Sequence, residues 1–475
     1  MLDKISENDI VSGKPNDIRE TDNDRIWICS GWSECSGCPF SEDPSWGSVR
    51  EESSHIASGD SAGISSSGKF TSLKILPYSD SSGNTERSLC MEQRVEEILP
   101  GIIEFRHRLH QIPETAGNEH QTSRAIRERL AGLGFEVLPP FLKTDVVALL
   151  HGCRPGKNVT LRADIDALAL DEKTGVPYCS THPGLMHACG HDAHAAMLMG
   201  AAEILASERD KLSGTVRFVW QPGEENRAMG RDLVAAGALE NPRADLVTAL
   251  HGAPGFPFGV LALRTGAMDA STAHFKVIIR GKGGHSSRPH QSRDPVIAAC
   301  AAVVELQSVV SRRINPLRPA VLSICRISGG ELANVIPDEV VLEGTARAFD
   351  PDVAQELKSG FQEIVEAVCH AHRVECDIHY DILYPVNINP AGPTDFAREV
   401  IRETFGEERL YEMPEPSMGG EDFAYFLQRY PGVYVKIGLG ETHPALHNSK
   451  FDFPDSALSI GIEYFVNFVR KTLSF

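Results

Sequence analysis

Three strand-like runs in the chain each stop at polar side chains suited to chemistry, with helical stretches between them. Val159-Thr-Leu-Arg-Ala leads to Asp164 and Asp166, Thr215-Val-Arg-Phe-Val-Trp to Gln221-Pro-Gly-Glu-Glu225, and Leu246-Val-Thr-Ala-Leu to His251. Ala195 to Glu208 is one of the intervening helical stretches. Strands that alternate with helices build an α/β layer on a largely parallel sheet. The chemistry of such sheets lies beyond the carboxyl ends of the strands, and these polar residues fall there.

A second unit starts near Asp269. It reads strand (273–279), helix (294–312), strand (320–327), strand (339–349), helix (351–372) and strand (374–382). That β-α-β-β-α-β order is the split βαβ or ferredoxin-like pattern. After Pro390 the α/β character returns, and the chain ends in a helix expected over 455–473. A length of 475 residues exceeds one compact core. We therefore expect an α/β catalytic domain in two parts, 89–268 and 386–475, interrupted by an inserted α+β domain at 269–385.

Residues 1–88 differ from the rest. They are rich in Ser, Gly, Asp and Glu without a sustained period, and such composition predicts disorder. The segment holds Trp27, Trp32 and Trp46, and a C-x-x-C at Cys35 and Cys38 with Cys29 near it. A zinc knuckle needs a fourth ligand, and the nearest histidine is His55, so an uninvolved tail is the favoured reading. The net charge of −19 disfavours nucleic-acid binding, which needs clustered Lys and Arg. No run long enough to cross a bilayer is expected, and the N-terminal residues lack a signal-peptide pattern. Eleven cysteines scattered through a chain of this size favour reduced thiols and a cytoplasmic setting.

The densest chemical cluster is Met186-His-Ala-Cys-Gly-His-Asp-Ala-His194. Thiolate and imidazole are good ligands for zinc and related ions. A lone buried Cys or His is more often structural, but three His, one Cys and one Asp in such a short span favour ligation. In Gln221-Pro-Gly-Glu-Glu225, Pro222 and Gly223 break the strand just before two adjacent carboxylates. Both could then face one site, where a metal holds one and leaves the other to carry a proton. An exposed acidic turn is the alternative for an isolated Glu-Glu. His251, at the end of its run, could reach the same edge, and His447 lies in Leu446-His-Asn-Ser.

At these residues the sequence resembles the M20 family of metallopeptidases and amidohydrolases, within the branch of hippurate hydrolases, N-acyl-amino-acid amidohydrolases (aminoacylases) and auxin-conjugate hydrolases. The likeness runs from about Met91 to Phe475. It also rests on Arg106-His-Arg-Leu-His-Gln-Ile-Pro-Glu114, Arg162-Ala-Asp-Ile-Asp-Ala-Leu168, Gly283-Gly-His-Ser-Ser-Arg-Pro-His290, Asn334-Val-Ile-Pro-Asp338, Gly344-Thr-Ala-Arg347 and Met418-Gly-Gly-Glu-Asp-Phe423. The resemblance implies a zinc-peptidase-like catalytic domain with an inserted ferredoxin-like lid or dimerisation domain. It implies two divalent ions per subunit (Mn, Zn or Co), with Cys189 bridging them and His191, Glu225, His251 and His447 as the other ligands. By the same likeness Glu224 is the general base, and His285 helps bind the scissile carbonyl, often across a dimer interface. Asn334 and Arg347, with Gly419 and Gly420 nearby, would hold the substrate's carboxylate end. The branch usually has Ala where Gly223 stands and Pro where Ala169 stands.

These expectations converge on a metal-dependent hydrolase of linear amides. Its substrate would be a small N-acyl amino acid, cleaved by a metal-activated water, and its partner a second copy of itself, with no nucleic acid and no membrane. The alternatives are a related M20 peptidase or a biosynthetic deacetylase. Outside the enzymes stands a metal-binding regulatory protein on an inactive scaffold, but such a protein would be expected to have lost Glu224 or a ligand.

Overall fold

A computed structural model of the protein describes residues 84–473, with side chains from Met91 onward. The three tail tryptophans, Cys29 and the C-x-x-C therefore lie outside the described residues. The first helix, Asn84–His110, begins within the last residues of the segment expected to be disordered. It buries Ile102, Phe105 and Leu109, three of the residues that set its period.

The larger sheet has eight strands. In order across the sheet they are Glu136–Val137, Val146–His151, Ser213–Gln221, Arg154–Asp164, Leu246–Ala253, Gly432–Gly438, Leu261–Leu263 and Leu410–Glu412. The four central strands from Ser213–Gln221 to Gly432–Gly438 are parallel neighbours, and antiparallel pairs lie to either side of them. The sheet is thus mixed around a parallel centre. Central strands buried on both faces need near-continuous apolar runs, and Ser213–Gln221 is buried from Gly214 onward. Helices Asn84–His110, His191–Ser207 and Leu458–Leu473 pack into one core with this sheet.

The second sheet is four-stranded and wholly antiparallel, in the order Ala320–Ser328, Glu339–Ala348, Ser271–Arg280, Glu375–Tyr384. Numbered along the chain this is 2-3-1-4, the strand order of the split βαβ pattern. Its two helices, Pro295–Ser308 and Pro351–His372, both begin Asp-Pro. Asp294 and Asp350 each accept two backbone N–H bonds at the first turn, and proline occupies the position where no N–H is needed. Alternation in Glu339–Ala348 puts Val340, Leu342, Gly344, Ala346 and Ala348 inward. They join a core of their own with Phe275, Phe361 and Tyr380.

One expectation needs correcting. The segment Pro295–Arg313 does reach the length and mean hydropathy, 1.4, of a membrane-crossing helix. Here Ala298, Ala299, Ala302 and Leu306 are spent on packing beneath the small sheet. Ile297 and Val304 remain exposed on its outer face.

Candidate metal centre and active site

The parallel strands Ser213–Gln221, Arg154–Asp164 and Leu246–Ala253 lie side by side, so their polar ends meet at one edge. Gln221 and Asp164 are the last residues of their strands. His251 does not end its strand as expected. Pairing with Gly432–Gly438 continues through Gly252 and Ala253, and this places the imidazole inside the sheet edge. Cys189 and His191 flank Gly190, whose φ of 85° starts helix His191–Ser207. A Cβ on Gly190 would also stand 2.9 Å from the ring of Phe453, so both backbone and space call for glycine. Helix and candidate ligand cluster are thus one feature: the chain turns into the helix at Cys189 and His191, four residues before the apolar run that announces it.

Gly223 likewise has φ 65°, and a Cβ there would lie 2.3 Å from the sulfur of Met229. After it, Glu224 and Glu225 open a single helical turn, Glu224–Arg227. His447 adopts φ 61°, uncommon for a residue with a Cβ and a mark of functional constraint. Its N–H is held by the carbonyl of Ala188, 2.8 Å away, beside Cys189.

The imidazoles are sorted by what their other nitrogens do. His251 Nδ1 is 2.8 Å from the Gly252 carbonyl, which fixes its proton there and turns the Nε2 lone pair toward Cys189 Sγ at 3.5 Å. His191 Nδ1 is 3.2 Å from Asp166, while its Nε2 is buried without a hydrogen bond, 3.9 Å from Glu225 Oε1. His447 Nε2 lies 3.3 Å from the same Glu225 oxygen, itself buried and lacking a hydrogen bond. His194 is different. Its Nδ1 is 2.6 Å from Asp164 and its Nε2 accepts the N–H of Gly252 at 2.9 Å, so neither nitrogen is left for a ligand. The donor atoms of Cys189, Glu225 and His447 fall within 4.8 Å of one another.

This donor set fits divalent cations. Two buried polar atoms, His191 Nε2 and Glu225 Oε1, have no hydrogen bond among the described residues. Burial, with Glu225 and Glu224 near, pushes the Cys189 thiol well above its usual range, so a cation is what would hold it as thiolate. Burial, then the neighbouring His194, push His251 well down, leaving the neutral imidazole that metals prefer. Glu225 is held low despite burial by His447 and His191. Glu224 goes the other way. Burial, then the charges of Glu421, Glu225 and Asp422, raise its carboxyl well above the usual range. Behind it, the fully buried Arg162 donates to Asp164 (2.8 Å), Asp422 (2.8 Å), Glu421 (3.1 Å) and the side-chain amide oxygen of Gln221 (2.9 Å).

The residues expected to bind substrate lie on the other unit and its borders. Arg347 is half-buried, opposite Thr272 in the small sheet, and among the described residues it pairs with no carboxylate. Thr272 also touches Gly420, where a Cβ would come within 2.4 Å of its hydroxyl, so Arg347 and Gly420 are brought near one another. Gly419 is exposed beside Gly420. His285 and Asn334 neighbour each other, because Gly284–His285 pairs with Val335–Ile336 and the Asn334 carbonyl accepts the Ser286 N–H. Both are exposed. Among the described residues neither touches the ligand cluster.

Some residues around the cluster have no role assigned from sequence. Asp164 and Asp166 read as polar residues at a strand end, and Arg162 stands in a quoted motif, but their partners cannot be read there. His194 was part of the cluster, but only geometry excludes it as a ligand. Tyr384, whose hydroxyl donates to the backbone carbonyl of Glu224, has no sequence signal.

The profile of Peptidase family M20/M25/M40 matches residues 160–471. The chain belongs to this family. It is similar to the N-acetyl-L-cysteine deacetylase of Bacillus subtilis, with 39% identity over 78% of this chain and 88% of that one. To the hippurate hydrolase of Campylobacter jejuni it is 34% identical over 80% of this chain and 99% of that one. Among solved structures it is similar to a dinuclear metal binding peptidase from the M20 family of B. subtilis. There the identity is 31% and the TM-score 0.70, with coverage of 80% of this chain and 99% of that one. This M20 chain is thus a metal-binding hydrolase of amides or peptides, with its candidate metal site where the three strand ends meet. Replacing Cys189 by Ser is expected to lower bound metal and turnover together, since a hydroxyl is a far poorer ligand than a thiolate. Metal content of the purified variant at matched free metal checks this; wild-type stoichiometry would remove Cys189 from the ligands.

Proposed function

We propose that the protein is an aminoacylase-type amidohydrolase that cleaves the amide bond of small N-acyl amino acids. The observation that carries this reading is the buried pair Glu224–Glu225. One carboxylate points into the ligand cluster, and its neighbour has a raised proton affinity beside it. The names of the relatives, deacetylases and a hippurate hydrolase, favour N-acyl amino acids over longer peptides.

In this reading Cys189, His191, Glu225, His251 and His447 would hold two divalent cations (Mn, Zn or Co). When bound, such ions act as Lewis acids toward water and toward an amide carbonyl. Glu224 accepts the proton of the attacking water and returns it to the leaving nitrogen. Arg347, which pairs with no carboxylate among the described residues, forks onto the carboxylate of the substrate, with Asn334 and the backbone at Gly419 and Gly420 completing that end. His285 donates to the carbonyl oxygen as charge builds there.

Residues 89–268 and 386–475 form the catalytic domain, and 269–385 a lid with its own core. That lid exposes Ile297 and Val304 on a helix and Ile327 on an edge strand. An apolar edge of this kind needs a cover, and a second copy in a symmetric dimer would supply it. The exposed His285 would then serve the partner's site. His285→Ala should lower turnover at unchanged metal content, and co-expression with Glu224→Gln should restore part of the activity in verified mixed dimers. No recovery there would mean that each subunit uses its own His285.

A hydrolysis screen of N-acyl and aryl-acyl amino acids with Mn, Zn or Co added tests the main proposal. Dipeptides and carboxypeptidase substrates belong on the same panel, because a thermostable carboxypeptidase of Saccharolobus solfataricus is also 36% identical. Faster turnover of peptides would replace this reading with that of an M20 peptidase.

A further inference from the structure

The one-turn helix that carries Glu224 is too short to fix itself. It spans Glu224–Arg227 and is stopped by Ala228 in the left-handed conformation, and a single helical turn has no cooperative stability of its own. Its orientation must come from outside contacts. Two are on the large-sheet side: the N–H of Gly223 donates to Glu119 at 3.0 Å, and the N–H of Glu225 to Asp166 at 3.0 Å. The third comes from the other sheet, where the hydroxyl of Tyr384 donates to the carbonyl of Glu224.

Tyr384 is the last residue of Glu375–Tyr384, and the pairing of that strand with Ser271–Arg280 slips between Ile382 and Tyr384. Such a bulge re-aims the side chain that follows it. The carbonyl of Leu383, at the bulge, is held by the hydroxyl of Tyr425 at 2.9 Å. The ring of Tyr384 passes over Gly420, where a Cβ would stand 2.7 Å from it. Three residues later the chain re-enters the large unit at Asn387–Asn389, which pairs with the outgoing strand Gly266–Asp269. Asp269 is fixed there by Asn387 at 3.0 Å and by Lys436 at 2.5 Å. Tyr384 therefore stands at the crossing between the two sheets, with its ring on the Gly420 loop and its hydroxyl on the turn of the base.

We infer that Tyr384 is a positioning residue: it ties the orientation of the Glu224 turn to the small sheet, so that Glu224 is set for proton transfer only while the two sheets keep this relation. The inference rests on the reading of Glu224 as the base, but the contact itself does not depend on the substrate.

Tyr384→Phe removes one hydroxyl and keeps the ring against Gly420. Tyr380→Phe is the control, since Tyr380 lies in the same strand but packs with Phe275 and Phe361 in the core of the small sheet. Two measurements are made on the full chain with its metals. Hydrogen–deuterium exchange of the peptide covering 222–229 should quicken several-fold in Tyr384→Phe and stay at the wild-type rate in Tyr380→Phe. In the best substrate of the screen, kcat should fall by about 3- to 10-fold, the rate equivalent of one hydrogen bond, while KM and metal content hold. Unchanged exchange in Tyr384→Phe overturns the link. So does a fall in kcat matched by Tyr380→Phe, which would mark a general loosening of the strand. If the wild type hydrolyses no N-acyl amino acid, the proposed substrate class fails, and the exchange result still decides the link.

Discussion

Glu224→Gln is expected to keep its metals and lose nearly all turnover, by about 100- to 10,000-fold, the usual worth of general acid–base catalysis. The substitution preserves size and leaves the backbone carbonyl that Tyr384 bonds. What it removes is the ability to take and return a proton. The surroundings of Glu224 explain why this carboxyl suits the task. Burial and the neighbouring charges of Glu421, Glu225 and Asp422 raise its proton affinity. A base raised toward the working pH takes a proton more readily than an ordinary carboxylate, and can still give it up to a leaving amine. Glu225, next to it, is held low against burial by His447 and His191, which suits the ligand role proposed for it. Two adjacent carboxyls are thereby driven to opposite roles. The test is kcat in a variant with verified metal content and thermal midpoint. A metal-loaded Glu224→Gln within a few-fold of wild type would move the base elsewhere, with Glu421 next in line because its carboxylate stands within 4.8 Å of Glu224 and Asp422.

Much of this arrangement can be read from the chain because local and global signals agree. The β-α-β-β-α-β order of runs between 273 and 382 marks the small sheet before any contact is known, and the Asp-Pro starts at 294 and 350 and the alternating burial of Glu339–Ala348 agree with it. The cluster from His187 to His194 signals ligation by density alone. Where reading stopped, the missing information was three-dimensional. Periodicity could place His251 near a strand end, but not show that pairing with Gly432–Gly438 runs past it. His191 and His194 are chemically equal in sequence. Only the partners of their second nitrogens separate the candidate ligand from the residue already bonded to Asp164 and Gly252. Tyr384 depends on a bulge, a slip in pairing between strands far apart in the chain. The apolar stretch of Pro295–Arg313 shows the converse: one face packs against the small sheet while Ile297 and Val304 stay exposed, and its composition, taken alone, also suits a lipid bilayer.

Arg162→Met is the substitution expected to cost the most stability. The side chain is fully buried, and its guanidinium is the cation shared by Asp164, Asp422 and Glu421. Burial alone would lower its proton affinity, yet the surrounding carboxylates outweigh it and hold the charge in place. Methionine fills similar space but leaves those carboxylates without their counter-charge. Breaking a buried ion pair in this one-sided way typically costs ~3–5 kcal/mol. The sign of the pH dependence follows from Asp422. Burial raises its folded-state carboxyl to about 7 even with Arg162 present, and removing the guanidinium raises it further. A group raised in the folded state contributes its stability below its unfolded value, about 4 for Asp, and loses it as pH climbs through the folded value. The deficit of Arg162→Met should therefore be smallest near pH 5 and widen through pH 7 and above. Denaturation midpoints of variant and wild type across that range measure it, with Arg326→Met, which breaks an exposed pair with Glu343, as the control expected to shift little. Arg162→Lys should recover part of the loss, since it keeps the charge but not the planar fork that reaches three carboxylates at once. A deficit that stays flat with pH, or shrinks as pH rises, would mean that Arg162 acts through packing, and that the carboxylates around Glu224 do not depend on it for their charge.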